Sequence, residues 1–100
     1  MTRSYYSSRV SEFLQEDENS ILGKLARNHQ FALEDFQRNA WLSQIRILKQ
    51  ELRSQGDAYL IFEYSIPRMG KRVDVILLSQ GIVFVIEFKV GDNRYSANAL

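Results

Sequence analysis

An α+β domain, with helices packed on a three-stranded antiparallel or mixed sheet, is what this chain of 100 residues predicts, on three observations. Trp41, Ile45, Leu48 and Leu52 recur at spacings of four, three and four, which lines up one face of a long helix. Residues 59–66, 71–78 and 82–90 are rich in the β-branched and aromatic side chains that fit a pleated surface. The helical segments precede the strands, and the links between strands are short, which favours a helix layer on a sheet. The length suits one core that buries roughly 60% of the unfolded chain's surface, hence a single domain. Residues 1–30 hold short N-terminal helices, and residues 31–100 hold the long helix and the strands.

Taken in order, Ser8 is expected to cap a short helix to about Gln15, burying Val10, Phe13 and Leu14. Glu16-Asp17-Glu18 breaks it, and Ser20 caps a second helix over residues 21–27. His29 falls in the polar stretch Asn28-His29-Gln30 and reads as an exposed loop residue; with no second His, Cys or local acid cluster it gives no metal signal. The long helix runs over about residues 33–54, with Glu34-Asp35 at its positive end and Gln55-Gly56-Asp57 closing it. In residues 59–66 (YLIFEYSI), Tyr59, Ile61, Glu63 and Ser65 share one face of a strand. Two more strands follow, and a further helix is expected to begin near Ser96 and to be cut short at Leu100, so the domain reads as incomplete at its C-terminus.

Composition removes several function classes. There is no cysteine, which excludes disulfides and thiolate metal sites. No apolar run approaches the roughly 18 residues that span a membrane, and no signal peptide is seen, so the cytoplasm is the expected compartment. The serines lack a His/Asp partner arrangement and no glycine-rich phosphate loop occurs, which disfavours a triad hydrolase and an NTPase. A net charge of +1 argues against strong general attraction to nucleic acid. The balance is uneven, however: residues 68–100 carry Arg68, Lys71, Arg72, Lys89 and Arg94 against Asp74, Glu87 and Asp92.

The last two strands carry the chemistry. If Gln80-Gly81 form a two-residue hairpin loop, Ser79 faces Ile82, Asp74 faces Glu87 and Arg72 faces Lys89. One face is then apolar throughout (Val73, Val75, Leu77, Ile82, Phe84, Ile86, Phe88, Val90). The other is apolar near the turn, at Ile76, Leu78, Val83 and Val85, and charged at the open end. Directly opposed side chains have Cβ atoms about 4.5–5.5 Å apart, so two carboxylates there repel by about 3 kcal/mol at an effective dielectric near 20. A divalent cation that prefers oxygen, Mg²⁺ or Mn²⁺, relieves that repulsion with few carboxylates and several waters. Lys89, two residues from Glu87, is placed to orient or deprotonate a metal-bound water, the chemistry of phosphodiester hydrolysis. The plainer alternative is a solvated ion quartet of Arg72, Asp74, Glu87 and Lys89. Glu63 either reaches the metal or pairs with Arg72 or Lys89, and Arg68, Lys71, Arg72 and Arg94 are candidate phosphate contacts.

Asp74 followed by Glu87-x-Lys89 on the next strand, behind a long amphipathic helix and a strand, resembles the PD-(D/E)xK nuclease superfamily. Tyr5-Tyr6-Ser7-Ser8, Ile21-Leu22-Gly23-Lys24-Leu25, Ala40-Trp41-Leu42 and Phe62-Glu63-Tyr64 extend the likeness. So does Pro67-Arg68-Met69-Gly70-Lys71-Arg72-Val73-Asp74. Together they resemble the amino-terminal nuclease-like region of bacterial proteins described as Schlafen group 3-like, whose longer members carry a superfamily 1-like DNA/RNA helicase domain. The resemblance implies a restriction-endonuclease-like core, Asp74 and Glu87 as ligands of Mg²⁺ or Mn²⁺ with the backbone carbonyl of Phe88, and Lys89 as the catalytic lysine. Many superfamily members add a glutamate on the first helix; here Gln44 and Glu51 are the residues at hand. The implied partners are nucleic acid, DNA rather than RNA, and a helicase domain in cis. A sheet face left uncovered, exposing Ile82, Phe84 and Ile86, would favour self-association. The functional expectation is a metal-dependent nuclease-like domain; the alternative is an inactive nucleic-acid-binding or protein-docking module of a helicase.

Overall fold

A computed structural model describes residues 3–29, 34–89 and 96–99. The elements are β1 (Tyr6–Arg9), α1 (Val10–Gln15), α2 (Glu18–Asn28), α3 (Asp35–Glu51), β2 (Tyr59–Ile66), β3 (Lys71–Ser79), β4 (Ile82–Glu87) and β5 (Ser96–Ala99). The strands form one sheet in chain order, every neighbouring pair antiparallel. The chain is therefore α+β as expected, but the sheet has five strands among the described residues rather than three. Both added strands are short. Tyr6-Ser7-Ser8-Arg9 pairs with β2, and Ser96–Ala99, where a helix was expected to start, pairs with β4.

The helix starts are corrected at two caps. Ser8 lies in β1, and α1 begins after Arg9, whose backbone N–H donates to the Glu12 carboxylate (3.4 Å). The acidic stretch does not merely interrupt the helices: Asp17 caps α2 by accepting the Asn19 N–H (3.0 Å), one turn ahead of the expected Ser20. His29 is the C-cap of α2 and not an exposed loop residue; its ring packs edge-on against Tyr5 and Trp41, with centroids 5.9 and 5.5 Å away. The long helix is shorter than expected at its C-terminal end, closing at Glu51 with the Leu52 N–H bonded to the Leu48 carbonyl.

The β3–β4 hairpin has the expected register, from Ser79 opposite Ile82 to Val75 opposite Ile86. Gln80 and Gly81 both take positive φ, 52° and 78°, the paired left-handed conformation that matches a two-residue turn to the twist of its strands. Period-two alternation then sorts the side chains. Leu60, Phe62, Val75, Leu77 and Ile86 face Phe13, Ile21, Leu25, Trp41 and Ile45 in one continuous core. Phe84 and Ile86, expected to be uncovered, are packed against that core, and of the three residues only Ile82, beside the turn, is exposed. On the other face Tyr59, Leu78 and Val83 form a solvent-exposed cross-strand row. Val90 lies outside the described residues, as does Leu33.

Two ion-dipole arrangements fasten the helices. Lys49, on α3, donates to the Phe13 and Glu16 carbonyls at the end of α1 and lies over the Phe13 ring. The Glu16 carboxylate accepts from Tyr6 Oη (2.7 Å) and Ser20 Oγ (2.9 Å) and pairs with Lys24 (2.7 Å), joining α2 to β1.

Candidate functional site

Three carboxyl groups come from equivalent positions on β2, β3 and β4. On β2 the ladder to β3 runs through Phe62 opposite Val75 and Tyr64 opposite Val73, so the intervening Glu63 stands opposite Asp74. Continuing the β3–β4 register one step places Glu87 opposite Asp74 on its other side. The sequence expectation for this pair therefore holds, and Glu63 extends it to a third strand.

The row is not uniform, because Glu63 has φ of 53°, in the left-handed region that an L side chain occupies at a cost. It makes no ladder pair, and its carboxylate accepts a hydrogen bond from Trp41 Nε1 on α3 (3.3 Å). Its carbonyl accepts from Arg72 Nη1 (3.1 Å), and the Arg72 guanidinium lies 4.4 Å from the Tyr5 ring centroid. Burial pushes the Glu63 carboxyl above the ordinary range; the Trp41 hydrogen bond opposes that shift and the charge of Asp74 adds to it. Glu63 thus has a structural partner, but it is Trp41 rather than Lys89, and Arg72 holds its backbone rather than its carboxylate.

Asp74 and Glu87 face each other across β3 and β4. Asp74 Oδ2 accepts the Phe88 N–H (2.9 Å), which draws the end of β4 towards β3. The Glu87 carboxyl is pushed up to about 7, by desolvation first and then by the neighbouring Asp74. Opposed carboxylates repel, and a proton or a cation relieves that repulsion. Phe88 turns its ring against the core while its backbone adjoins Asp74.

The ion quartet does not form. Among the described residues the ion pairs are Lys24–Glu16 and Arg46–Glu18, so Arg72 and Lys89 neutralise neither acid. Lys89 is exposed two residues beyond Glu87; Arg68 and Lys71 are exposed at the β2–β3 turn. Arg94 lies outside the described residues. Of the two helix residues considered for a further acid position, Gln44 is buried with its side-chain oxygen unpartnered, and Glu51 is exposed at the end of α3. With Glu63 turned to Trp41, no group of three or more His, Cys, Asp or Glu side chains able to hold a metal ion is present among the described residues.

Sequence reasoning missed the Trp41 bond to Glu63, the Arg72 clamp and the Asp74 bond to the Phe88 backbone. Only an acid inside an apolar strand hinted at the first. The chain matches no family model, no curated protein and no solved structure. No helix among the described residues is long and apolar enough to cross a membrane.

Proposed function

We propose that this chain is a metal-dependent, nuclease-like domain with a restriction-endonuclease-like core that acts on phosphodiester bonds in nucleic acid. The observation that carries the reading is the register that sets Asp74 opposite Glu87 on adjacent strands, two acids with no ion-pair partner among the described residues. The donor set fits Mg²⁺ or Mn²⁺: hard carboxylate oxygens from two adjacent strands, enough for an ion that keeps several waters. Asp74 and Glu87 would hold the ion beside the Phe88 backbone, and Glu63 would be an outer carboxylate steered by Trp41. Such an ion polarises a phosphoryl oxygen and lowers the pKa of a bound water. Lys89 is the candidate for orienting that water, and Arg68 and Lys71 for phosphate contact. DNA is preferred to RNA, a helicase domain in cis is the proposed partner, and the compartment is cytoplasmic.

The second reading, an inactive nucleic-acid-binding or docking module, is favoured by one observation: no three-carboxylate group assembles among the described residues. Incubation of plasmid and oligonucleotide substrates with Mg²⁺ or Mn²⁺ separates the two. The nuclease reading expects cleavage that requires the ion and disappears in Asp74→Ala and Lys89→Ala. Cleavage that survives both substitutions, or binding without cleavage in either ion, contradicts it.

A further inference from the structure

The turn between β2 and β3 projects at the same end of the sheet as the acid pair. Ile66 pairs with Lys71, leaving Pro67-Arg68-Met69-Gly70 as a four-residue loop. Met69 is 60% exposed at its tip, while Arg68 and Lys71 beside it are also exposed. Arg68 has φ of 66°, a conformation that glycine or asparagine adopts more cheaply. Arg3 lies nearby, since its carbonyl accepts the Ser65 N–H (2.8 Å), and Ser65 pairs with Arg72. None of Arg3, Arg68 and Lys71 belongs to an ion pair among the described residues.

We propose that this hairpin tip is a finger that docks duplex nucleic acid, with Arg68 and Lys71 on phosphates and Met69 against a base step. An exposed apolar side chain between two cations matches what a groove offers: phosphates on the rims and base edges between them. Methionine is among the side chains that wedge between base steps. Lys71 precedes Asp74 by three residues, about 10 Å of extended strand, or about three base pairs of helix axis. A duplex held at the tip therefore lies about that distance from the acid pair. This placement rests on the nuclease-like reading; docking itself does not.

The test is fluorescence anisotropy of a labelled duplex with the full chain, in chelator, across a range of salt concentrations. Wild type binds, and Arg68→Ala/Lys71→Ala lowers the slope of log affinity against log salt by about two. Met69→Ser weakens binding about fivefold with the slope unchanged. Circular dichroism checks that these surface variants remain folded. Failure of wild type to bind at low salt overturns the proposal, as does wild-type behaviour of either variant. Chelator keeps this binding test apart from the cleavage test: tip-dependent binding with no cleavage in Mg²⁺ or Mn²⁺ removes only the hydrolytic reading, while metal-dependent cleavage with tip-independent binding removes only the finger.

Discussion

Asp74 accepts a hydrogen bond from the backbone of Phe88 (2.9 Å) and stands opposite Glu87 in the β3–β4 register, so one aspartate both ties down the end of β4 and faces its acid. Replacing it by Asn removes the charge and keeps an acceptor for Phe88. The Glu87 carboxyl, at about 7 in the wild type, should then titrate lower but stay above its ordinary value, since desolvation persists. Carboxyl carbon chemical shifts against pH in the two proteins measure this.

A raised carboxyl also sets the sign of a pH effect on stability. Glu87 binds its proton more tightly folded than unfolded, so its contribution is fully present below about 4.5 and is lost as pH rises to about 7. Glu87→Gln should abolish that part of the slope. The difference in Tm between wild type and variant, measured across this window, should shift in the variant's favour as pH rises.

Trp41 is the single tryptophan of the chain, and its indole N–H serves the Glu63 carboxylate. Trp41→Phe keeps a ring against Tyr5 and His29 but leaves Glu63 without that donor. A loss of about 1–3 kcal/mol is expected in urea unfolding. No loss would mean that Glu63 finds an equivalent partner.

Lys49 carries an ammonium between two carbonyls at the end of α1, partly buried, with burial pulling its pKa below the ordinary value. Lys49→Met preserves the stem over Phe13 and removes both donors. The expected cost is about 1–3 kcal/mol by chemical denaturation, the penalty of leaving carbonyls poorly satisfied.

At the β3–β4 turn, Gln80 holds a left-handed conformation in a position where asparagine is preferred. Gln80→Asn should stabilise the chain by about 0.5 kcal/mol, within the range of turn and cap optimisation. Thermal melting with unchanged spectra checks it.

The hairpin register was legible because alternation has a period of two and Gln80-Gly81 admits one tight turn; a slip of one residue would expose Val75 and Ile86. The opposed acids followed from the same count. The turned Glu63 was not legible, because a single strained residue leaves the flanking alternation of Phe62 and Tyr64 intact. Nor was the seat of Arg72 on Tyr5, a contact between distant segments that no local pattern records. Ser20 and Asp17 are both good caps, and the hydrogen bond to Asn19 decided between them. The strands Tyr6–Arg9 and Ser96–Ala99 are four residues each and too short for alternation to declare them.

Titration of Mn²⁺ into wild type and into Asp74→Ala, followed by calorimetry near pH 7, bears most directly on the paired acids. Saturable binding that releases protons in wild type and is lost in the variant is the expected result. Heats that match in the two proteins, or no binding to either, would contradict a cation site at Asp74 and Glu87.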